Sequence, residues 1–148
     1  MAVALSDFAG QNVYLDANIF IYAVERHPDF VALLEQLFSR VDAGGMTATT
    51  SEITLAECLV KPFADNDVDR QQLYQAAIAA RPNFAVAPVS RSILVRAAQL
   101  RALHKPRLPD AIHLATAIAS ACPTLLTNDH LVKTIPGIRV VQLSDLSM

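Results

Sequence analysis

Asn12-Val13-Tyr14-Leu15-Asp16-Ala17-Asn18-Ile19-Phe20 is the stretch whose reading decides the fold. Its first four residues are a short β-prone run, and Asp16-Ala17-Asn18 turns the chain and caps a helix beginning near Ile19. This reads as strand, polar tip, helix, and the alternation continues downstream. Pro28 opens a second helix in which Leu34, Leu37, Phe38 and Val41 recur at helical spacing until Gly44-Gly45 stops it. Met46 to Thr50 is a second strand. Thr49 and Glu52, three residues apart, suit a capping box for a helix carrying Ile53, Ala56, Glu57 and Val60, which Pro62 ends.

After the Asp65-Asn66-Asp67 turn, an Ala-rich helix reaches about Ala80, and Phe84-Ala85-Val86 follows as a third strand, buried by its composition. Ser90 caps a helix running to about His104. Pro109 suits the first position of a helix from Asp110 to Ser120, Thr124 to Thr127 is a strand ending in Asn128-Asp129, and a last strand covers Arg139 to Gln142. The fold class is therefore α/β, with a mainly parallel sheet covered on both faces and no internal repeat.

The 148 residues fit a single domain, 1–148, able to bury roughly two-thirds of the surface its unfolded chain exposes. A hydrophobic fraction of 53% and a mean hydropathy of +0.32 argue against disorder and leave apolar surface for self-association or a partner. The formal net charge of −2 argues against bulk electrostatic binding of nucleic acid. Local asymmetry can supply such contact, because seven of the twelve basic residues (Arg70, Arg81, Arg91, Arg96, Arg101, Lys105 and Arg107) fall in the acid-free stretch between Asp69 and Asp110. A solvated face is the better explanation of them, with RNA contact second. Arg96 falls within the helical arc of Ile93, Ala97, Leu100 and Leu103, so it is expected to snorkel or to pair with an acid across an interface. Cys58 and Cys122 lack metal-ligand spacing and read as small buried hydrophobes. Met1 to Gly10 has no basic start, and no apolar run is long enough to span a membrane, so the expectation is a soluble, cytoplasmic protein.

In open α/β sheets, ligands bind outside the carboxyl ends of the strands, where Asp16 and Asp129 stand. Glu57, on a helix after the second strand, and Asp110, in the first turn of its helix, reach the same edge if the connections are short. Two unit charges about 4 Å apart repel by about 4 kcal/mol at an effective dielectric near 20, a cost that a divalent cation removes. All-oxygen ligands suit Mg²⁺ or Mn²⁺, the equipment for phosphodiester hydrolysis. Each acid also has a structural explanation. Asp16 and Asn18 serve as helix caps, Asp110 complements a helix dipole, Asp129 belongs to a polar turn, and Glu57 belongs to a solvated stripe. Spacing alone leaves the reaction class open.

Val13 to Phe20, an apolar strand ending in Asp-x-Asn, resembles the opening motif of PIN domains. In order along the chain, Thr54-Leu55-Ala56-Glu57, Leu108 to Ala117 (Leu-Pro-Asp-Ala-Ile-His-Leu-Ala-Thr-Ala) and Leu125-Leu126-Thr127-Asn128-Asp129 resemble the second, third and fourth. The third is the most specific and is similar to PIN-domain toxins of the VapC type, from bacterial type II toxin–antitoxin systems. The resemblance implies a three-layer α/β/α fold around a mainly parallel sheet of four to five strands. It also implies an endoribonuclease dependent on Mg²⁺ or Mn²⁺ that leaves a 5′-phosphate and a 3′-hydroxyl. Asp16, Glu57, Asp110 and Asp129 match the metal-binding and catalytic acids, and Asn18 and Thr127 the polar residues that orient them. His113 is implied to pack or support rather than act as a base. An RNA substrate, a cognate antitoxin that covers an apolar groove, and a homodimer follow as family expectations. A haloacid-dehalogenase-like phosphotransfer site is disfavoured, because that chemistry needs an acid where Asn18 stands. A catalytically silent PIN-like binding module is the remaining alternative, and the survival of all four acids counts against it.

Overall fold

The computed structural model describes residues 2–148. Strand β1 (Val3–Ala4) and a 3₁₀ turn at Leu5–Phe8 precede β2 (Asn12–Leu15), α1 (Ala17–Val24), α2 (Val31–Asp42) and β3 (Thr47–Ser51). Then come α3 (Glu52–Ala64), α4 (Val68–Ala77), β4 (Phe84–Ala87), α5 (Arg91–His104), α6 (Leu108–Ala119), β5 (Thr124–Thr127), β6 (Arg139–Gln142) and β7 (Leu146–Ser147). The main sheet has five strands in the order β4-β3-β2-β5-β6, and every pairing is parallel.

Strand β2 lies at the centre, and its pleat divides the molecule. Val13 and Leu15 point into one core with Leu126, Val141 and helices α1 to α4, whereas Tyr14 points into a second core with Leu125 and helices α5 and α6. Burial on both faces explains why these strands read as continuous apolar runs, and it produces the three α/β/α layers. After β2 the chain builds β3 and β4 on one side, then crosses to build β5 and β6 on the other. The strand order therefore reverses between β2 and β5, opening a crevice beyond their carboxyl ends.

Several local expectations are corrected. Helix α1 begins at Ala17, because Asp16 itself is the N-cap. Helix α2 begins at Val31 and not at Pro28; the intervening turn bonds the Phe30 and Val31 N–H groups to the His27 carbonyl and packs Tyr22, His27 and Phe30 together. Thr49 caps nothing. It sits within β3 and donates to Asn12 Oδ1 at 3.0 Å, while Ser51 Oγ accepts from the Ile53 N–H and starts α3. Pro62 lies inside α3, two residues before its end, and its carbonyl accepts from the Asp67 N–H and from Gln71 Nε2. Helix α4 stops at Ala77, short of Ala80. Strand β4 is an edge strand: Phe84 is buried and Ala85 is exposed. Helix α5 buries only Ile93, Ala97 and Leu100, and Leu103 is 73% exposed, so the apolar arc is narrower than expected and Arg96 is exposed rather than laid along it.

The β1–β7 pair went unread in the sequence. Val3 pairs with Leu146, and Leu5, Phe8, Leu143 and Leu146 are buried against the α1–α4 side. Cys58 and Cys122 are free and buried, and desolvation leads the upward push on both thiols, to about 12 and about 11.

Candidate metal centre

The crevice between β2 and β5 holds a cleft of about 210 Å³ lined by Asp16, Ala17, Asn18, Glu57, Arg107, Pro109, Asp110, His113 and Asp129. The four acids named from the sequence thus line one cleft.

Asp16 ends β2, and its backbone N–H donates to the Leu126 carbonyl across the switch point. One carboxylate oxygen caps α1 by accepting the Asn18 N–H at 3.1 Å, and the other accepts the Thr127 hydroxyl. Capping and site chemistry therefore coexist in this residue. Asp16 is 7% exposed. Burial is the largest influence on its carboxyl; bonds from Thr127 and Asn18 and the nearby His113 oppose it, and the Glu57 charge adds to it, leaving the group pushed up to about 6.

Thr127, the last residue of β5, joins two acids, because its oxygen also accepts the Asp129 N–H at 3.0 Å. Asn18 supports Asp16 through its backbone N–H and lines the cleft. Asp129 Oδ1 accepts from the Leu131 N–H, so the polar-turn reading also holds.

Glu57 projects from α3 with its side chain 34% exposed, and its Oε1 lies 2.6 Å from His113 Nε2. His113, buried on α6, places Nδ1 2.6 Å from the Tyr14 hydroxyl. Burial, then the charges of Asp16 and Glu57, raises the Tyr14 phenol well above its ordinary value, so it stays a donor. A carboxylate can only accept. A proton on His113 Nε2 donates to Glu57, and Nδ1 is bonded to the Tyr14 hydroxyl, so the ring links the central strand to the acid. His113 is a support for Glu57, as the resemblance implied.

Asp110 and Asp129 are drawn together by Arg107. Its guanidinium lies 2.6 Å from Asp110 Oδ2 through Nη2, with Nε at 2.7 Å, and the same Nη2 contacts Asp129 Oδ2. Burial, the largest single influence on Asp129, pushes its carboxyl up, but Arg107, the Leu131 N–H and nearby charge together leave it below the ordinary value. Sequence reading counted Arg107 only as part of a basic stretch and missed it here, although its i, i+3 spacing to Asp110 was a usable signal. Tyr14 was missed too; a phenol within an apolar strand needs a polar partner.

The acids line one cleft without fully converging. Among the described residues no three His, Cys, Asp or Glu side chains stand close enough to hold a metal ion as they are. Thr127 holds Asp16, His113 holds Glu57, and Arg107 holds the other two. The donor set nevertheless fits a hard divalent cation, because four carboxylates face one guanidinium and the most buried of them carries the largest desolvation burden. A neighbouring hollow of about 240 Å³ shares Glu57, but its Arg70 is paired with Glu25 at 3.3 Å and Asp67 at 3.5 Å. Among the described residues no helix is long and apolar enough to cross a membrane.

The family model for the PIN domain matches residues 13–137. No curated protein sequence matches the chain significantly. Among solved structures, VapBC2 from Rickettsia felis bound to a promoter DNA fragment is similar at 24% identity and a TM-score of 0.67, covering 89% of this chain and 98% of the other. A toxin–antitoxin complex from Klebsiella pneumoniae is similar at 26% identity and 0.64, over 88% and 97%. The sarcin–ricin loop cleaving toxin VapC20 from Mycobacterium tuberculosis, at 15% identity and 0.62 over 76% and 86%, shares the fold. With the family model spanning all four acids and the parallel five-stranded sheet in place, the chain belongs to the PIN-domain family.

Proposed function

We propose that the chain is a divalent-metal-dependent endoribonuclease, the toxin half of a toxin–antitoxin pair, acting as a single cytoplasmic domain that forms a homodimer. One observation carries this reading: Asp16, Glu57, Asp110 and Asp129 surround a single cleft at the switch point of a parallel sheet, with Arg107 the one Lys or Arg lining it among the described residues. These acids would hold Mg²⁺ or Mn²⁺, which would supply Lewis acidity toward the phosphate and lower the pKa of a water.

The protein's own residues do the rest. Thr127 fixes Asp16 and the backbone of Asp129, and the His113–Tyr14 chain holds Glu57 at the cleft mouth. A carboxylate accepts the proton that the attacking water releases. The bond from phosphorus to the 3′-oxygen breaks and that oxygen takes up a proton from water, leaving a 3′-hydroxyl and a 5′-phosphate. Arg91, Arg96, Arg101 and Lys105, exposed on and just after α5, attract the RNA backbone. An apolar hollow of about 190 Å³, lined by Phe20, Ala23, Val24, Phe38, Ala77 and Arg81, suits an antitoxin segment. The toxin–antitoxin complexes among the similar structures support that partner.

A second reading, a catalytically silent binding module, draws on the incomplete convergence of the acids. Cleavage of total cellular RNA separates the two. Purified protein is stripped of metal and of any co-purifying antitoxin, and Mg²⁺ or Mn²⁺ is then restored. Discrete fragments that depend on both metal and Asp16, tested with Asp16→Asn, are expected; an intact RNA pool under both metals leaves the binding module.

A further inference from the structure

We propose that Arg107 is a built-in cation that competes with the divalent metal for Asp110 and Asp129 and so sets the metal concentration at which the centre loads. This inference rests on the metal reading of the cleft given above. A single Nη2 contacts oxygens of both carboxylates, and Nε reinforces the Asp110 bond at 2.7 Å. A guanidinium and a divalent cation call on the same lone pairs, so the two acids cannot turn fully to a metal while Arg107 holds them.

The surroundings make this contact exchangeable. Half of the Arg107 side chain, 51%, is exposed, whereas its partners are 14% and 28% exposed. Displacement of the guanidinium therefore moves it into water and leaves the carboxylates in the cleft. The backbone need not follow. Lys105 adopts a left-handed conformation at φ 60°, Pro106 comes next, and the Pro106 carbonyl accepts from Arg101 Nη1 at 3.0 Å. Pro109 lies at the start of α6, whose Ala111 N–H donates to the Arg107 carbonyl. The Arg107 backbone is thus pinned on both sides, and rotation about its side-chain bonds alone opens the pair.

A purely structural ion pair has the opposite consequence. If Arg107 served to hold Asp110 and Asp129 in a ligating arrangement, its loss would scatter them and weaken metal binding. Competition predicts that its loss strengthens binding.

The test is Mn²⁺ binding to the full chain, followed by calorimetry or by the signal of free Mn²⁺ in electron paramagnetic resonance, in the absence of RNA. Arg107→Gln removes the charge, and Arg107→Lys keeps the charge without the planar fork that serves two carboxylates. Affinity is expected to rise from wild type through Arg107→Lys to Arg107→Gln, by on the order of fivefold in total, the scale of two partly exposed ion pairs. Should the Gln variant not fold, tighter binding by the Lys variant than by wild type carries the same conclusion. Equal or weaker Mn²⁺ binding by the folded variants overturns the competition while leaving the metal centre standing. If neither wild type nor variants bind Mn²⁺, both the competition and the metal reading fall.

Discussion

The two halves of the cleft are built differently. Asp16 and Glu57 are held from within the protein, Asp16 by Thr127 and its helix N-terminus, and Glu57 by a buried histidine that leans on the central strand. Asp110 and the Oδ2 of Asp129 are held by one half-exposed arginine reaching in from the rim, while Asp129 is also bonded to Leu131 and Thr127. The difference teaches that a charge cluster needs only part of its framework to be rigid. The partners of Asp16 and Glu57 are buried residues of the core, so moving them disturbs it, whereas the arginine between Asp110 and Asp129 can swing into water.

The His113 relay should break the inner half most severely. His113→Ala takes the histidine partner from the buried Tyr14 hydroxyl and from Glu57 and opens a void beneath α6, and a loss of about 2–4 kcal/mol is expected in urea unfolding. A loss below about 1 kcal/mol would mean that the relay is not integral to the core.

Asp16 should move stability the other way. Its folded carboxyl sits at about 6 against an ordinary 3.8. Its contribution to folding is therefore fully present below about pH 4, while the group is protonated, and is lost as the pH rises through 6. In metal-free protein at pH 7 the buried charge costs up to about 3 kcal/mol. Asp16→Asn is expected to stabilise metal-free protein at pH 7 by about 1–3 kcal/mol, less than the full cost because the amide disturbs the Thr127 bond, and to lose that advantage near pH 4. Unfolding curves across that range check it.

Tyr14→Phe sharpens the same half with a smaller change. The ring packing remains and only the bond to His113 goes, so about 1 kcal/mol is expected in denaturant unfolding, with RNA cleavage reduced less than by His113→Ala. On the outer half, Arg107→Gln should shift the stability of metal-free protein by under about 1 kcal/mol, since its ion pairs are partly exposed and screened by salt. A shift as large as that of His113→Ala would erase the contrast between the halves.

Much of this was legible in the sequence. Polar residues closing apolar runs marked Asp16 and Asp129 at strand ends, and the alternation of strands and helices put both on one edge, so the site followed from topology. Glu57 and Asp110 needed the ordered motifs as well, because residues on helices declare their direction only through packing. Arg107 stayed hidden because a charge count registers a residue and not the way its side chain turns. The β1–β7 pair escaped since two-residue strands joined across nearly the whole chain leave no periodicity to read. Thr49 lost the capping role to Ser51 because strand β3 runs on to that residue before the helix starts.

The most direct test of a cleft built around metal is thermal unfolding of wild type and Asp16→Asn at pH 7 as Mn²⁺ is added. The account predicts that Mn²⁺ raises the wild-type Tm with saturation, worth about 2.7 kcal/mol at one hundred times its Kd, and that Asp16→Asn starts higher but gains little. A wild-type Tm that ignores Mn²⁺, or an equal gain in both proteins, would contradict it.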